Sequence, residues 1–113
     1  MKNDIVLVPF PFDDFKTSKV RPALCLTRAF GNYNHVVIAF ISSNLKNYDN
    51  SSDILLKYNE KLIEGTGLIT DSVIKINRIV TVPTELIKRK LGIANPLLIQ
   101  AVNNSLKKIF ELD

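Results

Sequence analysis

Apolar residues in this chain fall in short runs of strand length, separated by polar segments rich in turn-forming residues. The stretch "DIVLVPFPF" (4–12) has four consecutive aliphatic residues after Asp4, and prolines at 9 and 11 prevent it from continuing as a central strand. It predicts a strand over residues 4–8 that leads into an extended arm. "DDFKTSK" (13–19) is polar and turn-prone, hence an exposed loop. "VRPALCLT" (20–27) is a second strand, with Pro22 near its start or at an unpaired edge position. "RAFGNYN" (28–34) offers Gly31 and Asn32 for positive backbone angles and reads as a hairpin tip, after which "HVVIAFIS" (35–42) is a third strand.

The second half repeats the pattern more irregularly. "SNLKNYDNSS" (43–52) is a polar loop without periodicity, and "DILLKY" (53–58) returns as a short strand. "NEKLIEGTG" (59–67) predicts a short helical turn or loop ending at its glycines. In "DSVIKINRIVTV" (71–82), Val73, Lys75 and Asn77 alternate against Ile74, Ile76 and then Ile79, which predicts one or two strands. "PTELIKRKLG" (83–92) predicts a helical turn, with Pro83 at its start and Gly92 after its end. The clearest helix follows: Asn95 is a natural N-cap, Pro96 suits the first helical position, and Leu98, Ala101, Val102, Ser105, Leu106 and Ile109 recur at helical spacing. The sum is mainly β with helices: a small, partly open β-barrel closed by a C-terminal amphipathic helix.

Composition narrows the function classes. At 113 residues the chain fits one domain over 1–113, and no apolar run approaches the ~20 residues that cross a bilayer. Lys2, Asn3 and Asp4 precede a short apolar run without a small-residue cleavage site, so no signal peptide is read and the cytoplasm is the expected location. Cys25 is the only cysteine and His35 the only histidine, too few for a Cys/His zinc site; Cys25 sits in an apolar run where an inert buried thiol is expected. No cofactor or metal is expected. The net charge of +4 permits a polyanionic partner without identifying one. The densest basic run, Lys88-Arg89-Lys90, reads as a solvated turn ahead of an RNA contact.

Few residues can carry chemistry. His35 opens a strand directly before two valines and reads as a structural or exposed strand-edge residue. The GTG at 65–67 lacks the further glycine and lysine of a phosphate loop, and adjacent Asp13 and Asp14 point opposite ways in an extended chain. What remains is a polar set at strand ends. If the second and third strands pair through "RAFGNYN", Arg21 at the start of one meets Ser42 and Ser43 at the end of the other. A guanidinium fork matches a phosphodiester and a hydroxyl donates to a further oxygen, although a structural arginine is the commoner use of such a position.

Taken in order, "NDIVLVPFPFDDFKTSKVRPALCL", "VVIAFISSN", "GLITDSVIKINRIVTV" and "KRKLGIANPLLIQAVNNSLKKIF" resemble the MazF/PemK family of toxins from type II toxin-antitoxin systems. The similarity spans nearly the whole chain. It implies an SH3-like barrel, a homodimer, and metal-independent cleavage of single-stranded RNA at short sequence motifs, with a cognate antitoxin as partner. It also implies that the arginine before the strand proline and the hydroxyl at the end of the following strand carry the cleavage, which here are Arg21 and Ser42. The reaction implied is 2′-hydroxyl attack, leaving a 2′,3′-cyclic phosphate and a 5′-hydroxyl. Ser43, Asn44, Phe15 and Lys19 are the expected substrate contacts, and Tyr33 is a further candidate for base stacking beside its packing use. The chain departs from the family in its short, glycine-free "DDFKTSK" loop and in serine where threonine is common. The other readings of the same barrel are a non-catalytic RNA- or partner-binding module and a DNA topoisomerase inhibitor.

Overall fold

Branched aliphatic side chains on both faces of successive strands demand a sheet that is covered on both sides, and that is what forms. The computed structural model describes residues 1–9 and 19–113, and the backbone alone for Asn47. Within them, six strands make one antiparallel sheet: β1 (Asp4–Pro9), β2 (Val20–Cys25), β3 (His35–Ser42), β4 (Ile54–Leu56), β5 (Ser72–Pro83) and β6 (Arg89–Ile93), followed by helix α1 (Pro96–Ile109). The order across the sheet is β4-β5-β3-β2-β1-β6. The arm after residue 9, the "DDFKTSK" loop up to residue 18, and with them Asp13, Asp14 and Phe15, lie outside the described residues.

One face packs Ile5, Leu24, Ala39, Ile41, Ile74 and Ile76 against Leu98 and Val102 of α1. The other buries Val6, Val8, Ala23, Cys25, Ile38, Phe40 and Val82, with Leu86 and Ile87 packed on them. Each fully buried aliphatic side chain contributes roughly 1.5–3 kcal/mol. The helix begins where its cap residues predict: the Asn95 side-chain oxygen accepts from Leu98 N–H at 2.9 Å. Its amide nitrogen also donates to the carbonyls of Lys61, Leu62 and Glu64, tying α1 to the single helical turn at Lys61–Ile63. At the hairpin tip, Phe30 and His35 exchange backbone hydrogen bonds. Positive φ falls on Gly31 and Asn34, not on Asn32.

Three elements differ from the sequence expectation. First, "PTELIKRKLG" is helical only over Thr84–Leu86; Lys88 N–H then donates to Leu7 O at 2.8 Å and β6 pairs with β1. The free edge of β1 recruits a segment with little intrinsic strand preference, and tertiary pairing wins. Arg89 and Lys90 accordingly open an edge strand, with Lys88 bonded to β1 just ahead of it, in place of a solvated turn. Second, β5 is one strand, within the one or two expected, but it carries a large bulge that the pattern does not show. Between the Ala39–Ile79 and Ile41–Ile74 pairs it carries three more residues than β3. Third, Lys75 is buried, where simple alternation sets it among polar positions. Its ammonium meets the buried Asp53 carboxylate at 2.5 Å, and the same carboxylate oxygen accepts from Asp49 N–H.

The barrel closes by close backbone contact instead of a seventh strand. Ile93 N–H donates to Gly65 O at 2.9 Å. A Cβ on Gly67 would stand 2.2 Å from Leu91 O, and one on Gly92 would stand 2.3 Å from Gly65 O. Gly92 is therefore a point of close approach, not a helix stop. The segment before β5 lies on β6, and the sheet curls into the SH3-like half-barrel, with no helix among the described residues long and apolar enough to cross a membrane.

Candidate functional site

The β2–β3 register pairs Ala23 with Phe40, Leu24 with Ala39 and Cys25 with Ile38. Continued two residues toward the rim, it sets Arg21 opposite Ser42, while β1 offers Val8 on the other flank of Arg21. Here the barrel mouth opens as a cleft of about 450 Å³. Leu7, Pro22, Ile41, Leu68 and Leu91 give it an apolar floor, and Arg21, Ser42, Ser43, Thr70, Ser72 and Arg89 supply polar groups. Arg21 stands where it does because Pro22 biases the preceding residue toward extended geometry and because β2 is pinned between β1 and β3.

Ser42 Oγ accepts a hydrogen bond from Asn44 N–H at 3.0 Å. A hydroxyl has one donor besides its acceptor sites, so this contact fixes the oxygen and leaves the O–H proton to donate elsewhere. Asn44 itself caps the turn at Leu45–Asn47, its side-chain oxygen accepting from Lys46 N–H at 3.1 Å. It does not line the cleft. It shares with Ser42, Lys75 and Arg78 a smaller depression of about 50 Å³.

The sequence-selected residues thus divide. Arg21, Ser42 and Ser43 come together at one cleft; Asn44 is one step away; Lys19 is exposed and outside the lining, next to the undescribed segment that carries Phe15. Tyr33 is 81% exposed at the hairpin tip, beyond the far end of β3. At about 3.3 Å per residue, the strand alone separates it from Ser42 by roughly 20 Å or more, so it cannot stack on a base bound at Arg21. It meets His35 edge to face instead, with ring centroids 6.4 Å apart. His35 shares that remote position. Cys25 is fully buried, and burial, with the Asp4 carboxylate adding to it, pushes its thiol up to about 11, which keeps it a protonated, unreactive packing group.

Sequence reasoning missed Arg89, Thr70 and Ile69 as parts of the cleft. They arrive on β6 and on the closing segment, through long-range contacts that leave no local pattern. Only the basic run at 88–90 marked that region, and its strand pairing was not visible. Among the described residues no three His, Cys, Asp or Glu side chains gather where they could hold a metal ion.

Comparison with known proteins gives the family and the fold. Residues 1–110 match the profile of the "PemK-like, MazF-like toxin of type II toxin-antitoxin system" family. The comparison with curated proteins gives no match. Among solved structures, the chain is similar to the Mycobacterium tuberculosis toxin MazF-mt6, at 20% identity over 97% of this chain and 98% of that one, with a TM-score of 0.72. It is similar to MazE-MazF from Deinococcus radiodurans at 18% identity, covering 99% and 96%, with a TM-score of 0.71. An endoribonuclease in complex with its cognate antitoxin from a mycobacterial species is similar at 12% identity, covering 100% and 96%, also with a TM-score of 0.71. At these identities the structural likeness is one of fold. The family match takes in every strand of the half-barrel and both rim strands of the cleft, and on that ground the chain belongs to the PemK-like, MazF-like toxins of type II toxin-antitoxin systems.

Proposed function

We propose that this toxin is a sequence-preferring, metal-independent endoribonuclease acting on single-stranded RNA in the cytoplasm, as a homodimer restrained by a cognate antitoxin. The observation that carries the reading is the cleft shared by Arg21 and Ser42 at the ends of neighbouring antiparallel strands. Support for the activity and the partner comes from the family and from similar structures described as an endoribonuclease with its antitoxin and as MazE-MazF.

The substrate supplies its own nucleophile. The 2′-oxygen attacks the adjacent phosphorus as its proton passes to a solvent water, the bond from phosphorus to the 5′-oxygen breaks, and that oxygen takes up a proton returned from solvent. The products are a 2′,3′-cyclic phosphate and a 5′-hydroxyl, and no water is consumed. The Arg21 fork donates to the non-bridging oxygens as negative charge grows there; one such donor is worth about 2.7–4 kcal/mol in the transition state. Arg21 carries donors and no acceptor, so it stabilises charge and is not the base. Ser42 donates its remaining O–H to the same phosphate, and Ser43, Asn44, Lys19 and Phe15 provide further RNA contacts.

Incubation with a long single-stranded RNA in EDTA, read by primer extension, tests the reading. Cleavage at a recurring motif is expected, with Arg21→Ala slower by at least about 10²-fold at unchanged circular dichroism. A 2′-deoxy nucleotide at the scissile position should block cutting. RNA that is bound but left whole would establish the non-catalytic module instead, and efficient cutting by Arg21→Ala would overturn its role.

A further inference from the structure

The cleft beside Arg21 is larger than a phosphate requires. At about 450 Å³ it falls within the roughly 300–1,000 Å³ typical of sites for ring-bearing ligands, whereas Arg21, Ser42 and Ser43 suffice for one phosphodiester. The remaining surface is an apolar floor of Leu7, Pro22, Leu68 and Leu91. Beside it stands Ile69, a cleft-lining side chain that is 84% exposed.

Ile69 is held out in water by a fixed backbone. On its N-terminal side, Thr66 Oγ1 donates to Ile63 O and accepts from Leu68 N–H, while Gly67 abuts the Leu91 carbonyl. On its C-terminal side, Ser72 Oγ donates to Thr70 O, and the Asp71 carboxylate accepts from Tyr58 N–H. These bonds tie down the arch on both sides of Ile69. A branched aliphatic group exposed at the mouth of an apolar cleft gains when a flat apolar ligand slides beneath it. Arg89 of β6, two residues from the Leu91 that Gly67 abuts, lines the same cleft and brings hydrogen-bond donors and no acceptor.

We propose that this cleft is a nucleobase subsite: a nucleotide adjoining the scissile phosphate turns its base out of the stack onto the floor, Ile69 covers its outer face, and Arg89 meets its polar edge. The donors of Arg89 select a base that presents carbonyl oxygen there, guanine or uracil, over one that presents an amino group. The inference rests on the endoribonuclease reading and deepens it.

The test uses the wild-type protein and synthetic single-stranded RNAs spanning a mapped cut, with an abasic nucleotide on either side of the scissile phosphate in turn. One of the two abasic RNAs should lose about tenfold or more in kcat/KM, as the loss of a stacked base does elsewhere. Ile69→Ala should lose a similar factor on intact RNA and lose little further on that abasic RNA, because the same contact is already gone. Arg89→Gln should flatten the preference for guanine or uracil at that nucleotide. Equal cutting of both abasic RNAs and intact RNA would overturn the subsite. So would an Ile69→Ala protein that cuts intact RNA normally but sediments as a different oligomer, which would assign Ile69 to a contact between copies of the chain. If the wild type leaves every RNA whole, the endoribonuclease reading fails first and takes the subsite with it.

Discussion

Arg21 and Ser42 owe their meeting to two local facts: a proline that biases the arginine before it toward extended geometry, and a hairpin whose register sets the start of β2 against the end of β3. Their chemistry differs in kind. The guanidinium brings its charge in a fixed fork, and the hydroxyl brings one proton to donate while its oxygen accepts from Asn44 N–H. Ser42→Ala should therefore lower kcat/KM by about 10- to 10²-fold, the worth of one hydrogen bond to a charged group. Ser42→Thr should retain activity or raise it, since the methyl restricts χ1 without removing the donor; a steady-state assay of both variants on one RNA decides. Lys75 behaves in the opposite way to an ordinary surface lysine. Buried against Asp53, it carries a penalty of about 3–5 kcal/mol if either partner is deleted alone, so it belongs to the stability of the β5 bulge next to the site.

Among the elements, β6 and the closing segment decide whether there is a cleft at all. Leu91 and Arg89 reach it only because β6 pairs with β1, and Leu68, Ile69 and Thr70 reach it only because Gly67 lets the chain press onto the Leu91 carbonyl. Gly67 also has φ of 78°, a region that costs an L-residue roughly 1–2 kcal/mol before any clash. Gly67→Ala should destabilise by at least about 2 kcal/mol in a urea melt and lower cleavage more than Ser42→Thr does, because the arch must lift off β6. A Gly67→Ala protein with unchanged midpoint would contradict this account of closure. Sequence pattern alone read β1, β2, β3 and α1 close to their observed limits, since alternation, turn residues and the Asn95-Pro96 cap are all local signals. It missed β6 because "KRKLGI" has no strand preference of its own, and it placed Gly92 as a helix stop because local reasoning cannot see a backbone arriving from residue 65.

At the scale of the whole molecule, a basic half-barrel with an open mouth suits a polyanion whose phosphate sits on a polar rim and whose base sits on an apolar floor. With a net charge of +4, RNA affinity should fall steeply with salt while kcat changes little. Measuring kcat and KM between low and physiological ionic strength separates the two, and a salt-independent KM would argue against phosphate contacts. An acidic, flexible antitoxin segment would be held by the same field and should show the same salt dependence. The sequence by itself determined the class of fold, the family, and the pairing of an arginine with a hydroxyl, because strand periodicity, hairpin residues and ordered motifs are written in neighbouring positions. Only the tertiary structure decided that the barrel closes through glycine contacts, that Tyr33 is remote from the site, that Lys75 is buried, and that Ile69 and Arg89 share a cleft with Arg21. Those outcomes depend on which backbone comes within bonding distance of which across the sheet, a quantity that no single stretch of sequence contains.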